Sequence, residues 1–328
     1  SIGQRHIRNL KMKGINNIVA LRSKKGHFKK LPIEFPLIEV ESWEEAVKFL
    51  PDIAIIANPS SYHIESAIKI CEHVKGIFIE KPLSTSSNSC EHLIETLNEK
   101  KVVSFVGHNL MFHPVIKNII KFHDNNDVGS IINIQCQAGQ WLPDWHPYED
   151  YKTAYYSRKD LGGGVSLTLI HEIHLALELA GLPLSVYGEI SESKQLDVDV
   201  DVCSDLMIKH NTGAVSQIHL DYLQRPSHRS GLVTFEKGWV SYDFRRMELI
   251  GQIIGGDVCK IWSNLDYDFN EAYKDQLDMF MRLVEEGRLK HQFDASSAIE
   301  SIKVVEALKK SNSSGKRVMI DRVERFSF

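Results

Sequence analysis

No run of apolar residues in this 328-residue chain reaches the ~18 positions that a membrane-spanning helix needs. There is no basic tract either: 39 Lys and Arg stand against 43 Asp and Glu, for a formal net charge of −4. That balance gives no electrostatic footing for nucleic acid or for an anionic membrane surface. Cysteine is sparse. The five, at positions 71, 90, 136, 203 and 259, are far apart and lack metal-ligand spacing. An odd, scattered set suits reduced thiols and therefore a cytoplasmic protein. No signal peptide is evident, although a shortened start would hide one. Internal repeats and low-complexity linkers are missing too, so the expectation is two domains sharing a crevice rather than modules on a tether.

What is present fits a globular enzyme of two cores, at 43% hydrophobic and 25% charged residues. Gly76-Ile77-Phe78-Ile79-Glu80-Lys81-Pro82 carries the most information. Its apolar run reads as a buried parallel strand. Proline then stops the ladder, having no N–H to give. Glu80 and Lys81 are left at the carboxyl end of that strand, where open α/β sheets place their ligands. A lysine there can have its pKa lowered enough for proton exchange; a plain salt bridge at a strand end would give the same tripeptide. Asp52 to Asn58 is a second such run. Pro59-Ser60-Ser61-Tyr62-His63 follows it, with Ser60 or Ser61 placed to cap a helix through Ile64, Ala67, Ile68 and Cys71. Val102 to Val106 is a third strand, and Ser42-Trp43-Glu44-Glu45 is a capping-box pattern. Residues 15 to about 108 thus read as one doubly wound parallel sheet.

The opening Ser1-Ile2-Gly3 runs into a helix. Gly3 fits the third glycine of a dinucleotide fingerprint, which implies a chain that starts inside the Gly-x-Gly-x-x-Gly loop without its first strand. A protein that simply starts with a helix is the plain alternative. After about residue 110 the texture changes. Helices are expected over His113 to about His123, Leu167 to Leu179 and Ser296 to Lys310, and a helix face at Tyr273, Leu277, Phe280, Met281 and Val284. A strand is expected over Ser130 to Gln140. Hairpins are expected around Asn211-Thr212-Gly213 and Glu236-Lys237-Gly238. The fold expected is α/β: a Rossmann-like domain over 1–110, and an α+β domain with a mostly antiparallel open sheet over 111–328.

These motifs together resemble the Gfo/Idh/MocA family of NAD(P)-dependent sugar oxidoreductases. The resemblance spans nearly the whole chain. It rests on Ser1-Ile2-Gly3, Asn58-Pro59-Ser60-Ser61-Tyr62-His63, Glu80-Lys81-Pro82, Asn109 with Phe112-His113-Pro114, and Gly162-Gly163-Gly164 followed by His171. It implies a cofactor site at Ser1, Ile2, Gly3, Asn58, Pro59, Ser60, His63, Glu80, Lys81, Pro82 and Asn109. It implies Lys81 and His171 as the catalytic pair, with hydride transfer between nicotinamide and a sugar. Trp141-Leu142-Pro143-Asp144-Trp145-His146 and Tyr155-Tyr156-Ser157-Arg158 are similar to a subgroup encoded with bacterial surface-sugar or sialic-acid-like pathways. A homodimer or homotetramer through the C-terminal sheet is implied as well. Two departures stand out. Thr168 occupies the position of the family's Asp after the triple glycine, and Met111 that of its Arg before Phe-His-Pro.

The residues themselves fill in the rest. Trp141, Trp145, His146, Tyr155 and Arg158 can stack on sugar rings and bond hydroxyls, or form an interface loop. The resemblance adds Thr168 and His171 to the expected substrate set, and a polar cluster adds Arg225. Asp221, Arg225 and Arg229 form a polar cluster that could take an anion. His171, Glu172 and His174 could suggest a metal, but three residues in one segment make a weak site, so none is expected. At the end of the second strand, Ala20-Leu21-Arg22-Ser23 has no acid in reach for a ribose 2′-OH. Arg22 and Ser23 suit a 2′-phosphate, so NADP is favoured over NAD. Two other outcomes remain open: a sensor or scaffold that lost turnover, and a lyase or epimerase that uses its cofactor transiently.

Overall fold

The computed structural model describes residues 1–22, 37–147 and 149–321. They divide into two compact units, Ser1–Gly107 with Tyr273–Ala298, and His108–Ala272 with the residues from Ile299 on. A single cut at 110 therefore does not describe the chain.

The first unit runs α1 (Ile2–Met12), β1 (Val19–Leu21), β2 (Ile38–Val40), α2 (Trp43–Val47), β3 (Ile53–Ile56), α3 (His63–Ile70), β4 (Gly76–Glu80), α4 (Asn88–Lys100) and β5 (Val103–Gly107). Strands β3, β4 and β5 form a parallel sheet with β4 in the centre. All five residues of β4 are buried, as expected of a strand covered on both faces. The expected single sheet is instead two, because β1 and β2 pair only with each other among the described residues. Both β1 and β3 are largely half-buried. In α3 the buried positions His63, Ser66, Ala67 and Ile70 follow the helical period. Neither Ser60 nor Ser61 caps that helix; a 3-10 turn over Ser60–Tyr62 leads into it. Ser42 does cap α2, its Oγ accepting from Glu45 N at 3.2 Å, while the Glu45 carboxylate turns to Glu41 N.

The second unit begins with α5 (Pro114–Asn125), β6 (Ile131–Gly139), α6 (Val165–Thr168), α7 (His171–Ala180), β7 (Pro183–Ser191), β8 (Cys203–His210) and β9 (Val215–Asp221). It continues with β10 (His228–Phe235), β11 (Gly238–Asp243), β12 (Glu248–Ile253) and β13 (Cys259–Ser263). Then come α8 (Asn270–Glu285), α9 (Ala295–Ser314) and β14 (Val318–Met319). From Tyr273 to Ala298 the chain belongs to the first unit. There Phe280 packs on the stacked pair Phe78 and Phe105 at 5.6 and 5.9 Å, and Phe293 lies 5.2 Å from Phe105. Gly76 makes room for this: a Cβ there would lie 2.3 Å from Val284.

The second unit's sheet has the order β13-β12-β11-β10-β6-β9-β8-β7-β14 among the described residues. Only β6 and β9 run parallel; every other pair is antiparallel. In β8 buried Ser204, Leu206, Ile208 and His210 alternate with exposed Asp205, Met207 and Lys209. One face of the sheet is thus core and the other open. The helix expected over 167–179 is two, since Leu169, at φ −98° and ψ 32°, ends α6 before α7 starts.

Candidate functional site

Each unit carries its own group of site residues. In the first, β4 delivers Glu80 and then Lys81 at its carboxyl end. Glu80 is 7% exposed, and its Oε1 lies 2.6 Å from His6 Nε2 on α1. His6 itself packs edge-on to Phe78 at 5.0 Å. Opposite Glu80 in the register stands Gly107, where a Cβ would meet the Phe78 ring at 2.9 Å and a Glu80 oxygen at 3.3 Å. The buried Glu80 carboxyl is thus held by His6 and packed beside Gly107, one residue before Lys81. His63 ties two strand ends together. Its Nδ1 lies 2.8 Å from the Pro82 carbonyl and its Nε2 2.9 Å from that of Asn58. Burial pushes the His63 pKa down, partly offset by those two carbonyls. The Asn58 amide in turn donates to Ser66 Oγ at 2.8 Å, and Ser60 is buried. The loops after β3 and β4 are therefore braced by internal hydrogen bonds, as a preorganised site requires.

A nicotinamide dinucleotide fits the residues along these strand ends. A Cβ on Gly3 would lie 3.8 Å from Ala57 Cβ, so α1, with Ser1 and Ile2 at its start, runs close along the strand-end segment after β3. Arg22 extends β1, and its guanidinium meets Glu39 Oε1 of β2 at 2.9 Å. An acid is thus in reach of Arg22 after all; it comes from the neighbouring strand, paired beside Ala20, rather than from the end of β1. Ser23 lies outside the described residues.

In the second unit Asn109 to Phe112 form a buried 3-10 turn that includes Met111. His113 caps α5, its Nδ1 accepting from Val115 N at 3.2 Å. The ring sits among Phe244, Tyr267 and Phe269 at 4.6 to 4.9 Å. Burial first, then the charges of Arg229 and Lys117, push its pKa down to about 3. His171 opens α7 and is 8% exposed. It meets His108 edge-on at 6.0 Å, and His108 stacks on His174 at 3.5 Å. Burial drives the His174 pKa down to about 3, so this ring is neutral at working pH. Glu172 points elsewhere, to Arg229 Nε at 2.7 Å, as a buried ion pair. His171, Glu172 and His174 therefore do not converge on one point. Thr168 is buried against the Tyr222 hydroxyl, which also donates to the Tyr156 carbonyl at 3.3 Å.

The triple glycine is explained by internal packing. A Cβ on Gly163 would lie 2.5 Å from the Tyr155 carbonyl oxygen. Gly164, at φ +110°, would collide with Asp201 Oδ1 at 2.1 Å. Asp201 Oδ2 accepts from Ser166 N at 2.9 Å and from Ser166 Oγ at 2.6 Å, which caps α6. The glycines let the chain fold back on Tyr155 and Tyr156 and set α6 and α7.

The aromatic residues do assemble. Trp145 lies 5.4 Å from Tyr156 and 5.3 Å from Tyr222, with Tyr155 and His146 at 5.5 and 5.9 Å from Tyr156. Arg225 lies over Trp141 at 4.9 Å and grips Asp144 through two bonds of 2.8 and 2.9 Å. Arg158 grips Asp160 likewise. The expected cluster of Asp221, Arg225 and Arg229 is not one anion site: Arg225 pairs with Asp144, Arg229 with Glu172, and Asp221 with His219. Sequence reading passed over His6, Asp201 and the Glu172–Arg229 pair. The helical spacing of His6, Asn9 and Leu10, all buried, was a usable signal. The other partners are strands away and left none.

Fold and sites define a dinucleotide-binding unit joined to an open-sheet unit. Residues 1–108 match the model of an oxidoreductase family with an NAD-binding Rossmann fold, and residues 116–241 match the Gfo/Idh/MocA C-terminal domain. The chain belongs to the Gfo/Idh/MocA family. It is 25% identical over 295 residues to scyllo-inositol 2-dehydrogenase (NAD+) of Bacillus subtilis, covering 86% of this chain and 83% of that protein. It is also 25% identical over 130 residues to 2,7-anhydro-N-acetylneuraminate hydratase of Mediterraneibacter gnavus, covering 40% of this chain and 33% of that one. The chain thus spans only about a third of the length of that relative. Its fold is that of levoglucosan dehydrogenase in complex with NADH, with a TM-score of 0.86 at 17% identity, covering 98% and 97% of the two chains. No helix among the described residues is long and apolar enough to cross a membrane.

Proposed function

We propose that this protein is an NAD(P)-dependent dehydrogenase or reductase acting on a CH–OH group of a sugar or cyclic polyol. The observation that carries the reading is Lys81 at the end of a fully buried parallel strand, next to a carboxylate locked between His6 and Gly107. Nicotinamide, when bound, supplies the hydride chemistry. Lys81 donates a hydrogen bond to the reacting oxygen and stabilises the alkoxide charge as it develops. His171 takes the hydroxyl proton. The aromatic group around Tyr156 stacks on the ring of the substrate. We place the protein in the cytoplasm, in surface-sugar metabolism, and assign self-association to the open sheet face. Tyr187 and Met207, opposite each other in the register and about 40% exposed, support that last assignment.

Lys81→Met lowers kcat by about two orders of magnitude with little change in cofactor affinity. His171→Ala flattens the acidic limb of the pH–rate profile. Near-normal turnover of the Lys81 variant with an oxidisable sugar would sink the reading. A second reading, a hydratase or lyase that uses its cofactor transiently, is favoured by the likeness to the anhydro-sialate hydratase. It predicts product without net NAD(P)H formation.

A further inference from the structure

We propose that Cys203, Asp205 and His219 form a divalent-metal site on the open face of the second unit's sheet, suited to zinc. Cys203 and Asp205 lie two residues apart on β8 and so face the same side. In the register Asp205 stands opposite His219, and Cys203 opposite Asp221. Four ligand-type side chains therefore occupy a two-by-two patch on adjacent strands. Both strands are interior to the sheet, which fixes their backbones.

The donor atoms are close. Cys203 Sγ, a carboxylate oxygen of Asp205 and a ring nitrogen of His219 all lie within 4.8 Å of one another. His219 Nδ1 is 2.7 Å from Asp205 Oδ1, and Cys203 Sγ is 3.8 Å from Asp205 Oδ2. Tetrahedral zinc with bonds of about 2.0–2.3 Å holds its donors roughly 3.3–3.6 Å apart, within rotamer adjustment of this arrangement. Sulfur, nitrogen and oxygen together suit zinc rather than magnesium or calcium.

Asp221 supplies the second, independent observation. It is 4% exposed and lies 3.1 Å from His219 Nε2 through Oδ2, while its Oδ1 accepts from Leu223 N at 2.7 Å. Gly139, opposite it on β6, leaves the space it needs; a Cβ there would lie 2.1 Å from Oδ2. A buried carboxylate that holds Nε2–H leaves Nδ1 to bind metal, and this is how metal-bound histidines are oriented. Zinc binds Cys203 as the thiolate, whose proton passes to solvent, and involves no change of oxidation state.

The test titrates the full chain, first stripped with EDTA, with zinc chloride against a chromogenic chelator at pH 7.5. Cobalt chloride spectra are recorded in parallel. The proposal expects one zinc per chain with a dissociation constant of about 10 μM or tighter and a thiolate-to-cobalt charge-transfer band. Cys203→Ser removes the band, and Asp221→Asn weakens zinc about tenfold or more. Zinc uptake that is undetectable at about 100 μM, or equal in the parent and Cys203→Ser, overturns it; the site is then only a hydrogen-bonded cluster of His219 and two carboxyl groups. Should a variant fail to fold, the cobalt spectrum of the parent still decides, since a missing charge-transfer band rejects the thiolate ligand.

Discussion

We propose that cofactor choice turns on the ion pair of Arg22 and Glu39. The guanidinium can exchange a carboxylate for a 2′-phosphate, which it holds in the same two-pronged way. The carboxylate can instead accept a ribose 2′-OH and repel a phosphate. NADP preference is the proposal. Glu39→Gln should then raise the NADP/NAD ratio of kcat/KM, and Arg22→Ala should lower it about tenfold or more. A ratio unmoved by both substitutions would take this pair out of the site. His113 makes a second prediction at this scale. Its folded pKa, about 3, lies below the unfolded value of about 6.5. The unfolded chain therefore takes up the proton first as the pH falls. The stability contributed by neutral His113 is full above pH 6.5 and is lost between 6.5 and 3. His113→Asn keeps the cap on α5 but removes that titration. Its melting temperature should be lower at pH 7 and fall less steeply towards pH 4. A slope equal to the parent's would show that other groups carry the acid limb.

Among the elements, the segment from the triple glycine through α6 into α7 is the one that sets His171, the proposed proton acceptor. His171 is placed by where α7 starts, α7 by the end of α6, and α6 by Asp201 on its first N–H groups. Asp201→Ala should destabilise the fold by about 1–2 kcal/mol, as loss of a helix cap does. It should also lower kcat more than it raises KM if α7 shifts. Gly163→Ala should cost more, about 2–3 kcal/mol, because the clash is with backbone carbonyls that cannot rotate away. Chemical denaturation of the two variants orders them, and a Gly163→Ala protein as stable as the parent would refute the packing account.

For the whole molecule, cofactor binding and self-association are the measurable consequences. A ligand that binds only the folded state stabilises it by about 2.7 kcal/mol at a hundredfold excess over Kd. NADPH should therefore raise the melting temperature, and by more than NADH. In light scattering the parent should exceed one chain, and Met207→Lys should shift it towards the monomer. A monomeric parent would remove the open face from its assigned role.

The central strands, the Glu80-Lys81 strand end, the hairpins and the alternation of the open sheet were legible because they are periodic or local: apolar runs, a proline stop, turn residues between alternating strands. The likeness of the motifs to one family was legible for the same reason, since each motif lies within a few neighbouring residues. What the chain could not reveal by itself were pairings across strands and across long separations. Tyr273–Ala298 joins the first unit through contacts of Phe280 with Phe78 and Phe105, about two hundred positions away. Glu39 reaches Arg22 only because β2 lies beside β1. Glu172 finds Arg229, Gly164 makes room for Asp201, and Cys203, Asp205 and His219 converge only once β8 and β9 are in register. Periodicity fixes which face a residue occupies. Sheet order and register decide which side chains meet there, and those come from burying the whole core at once.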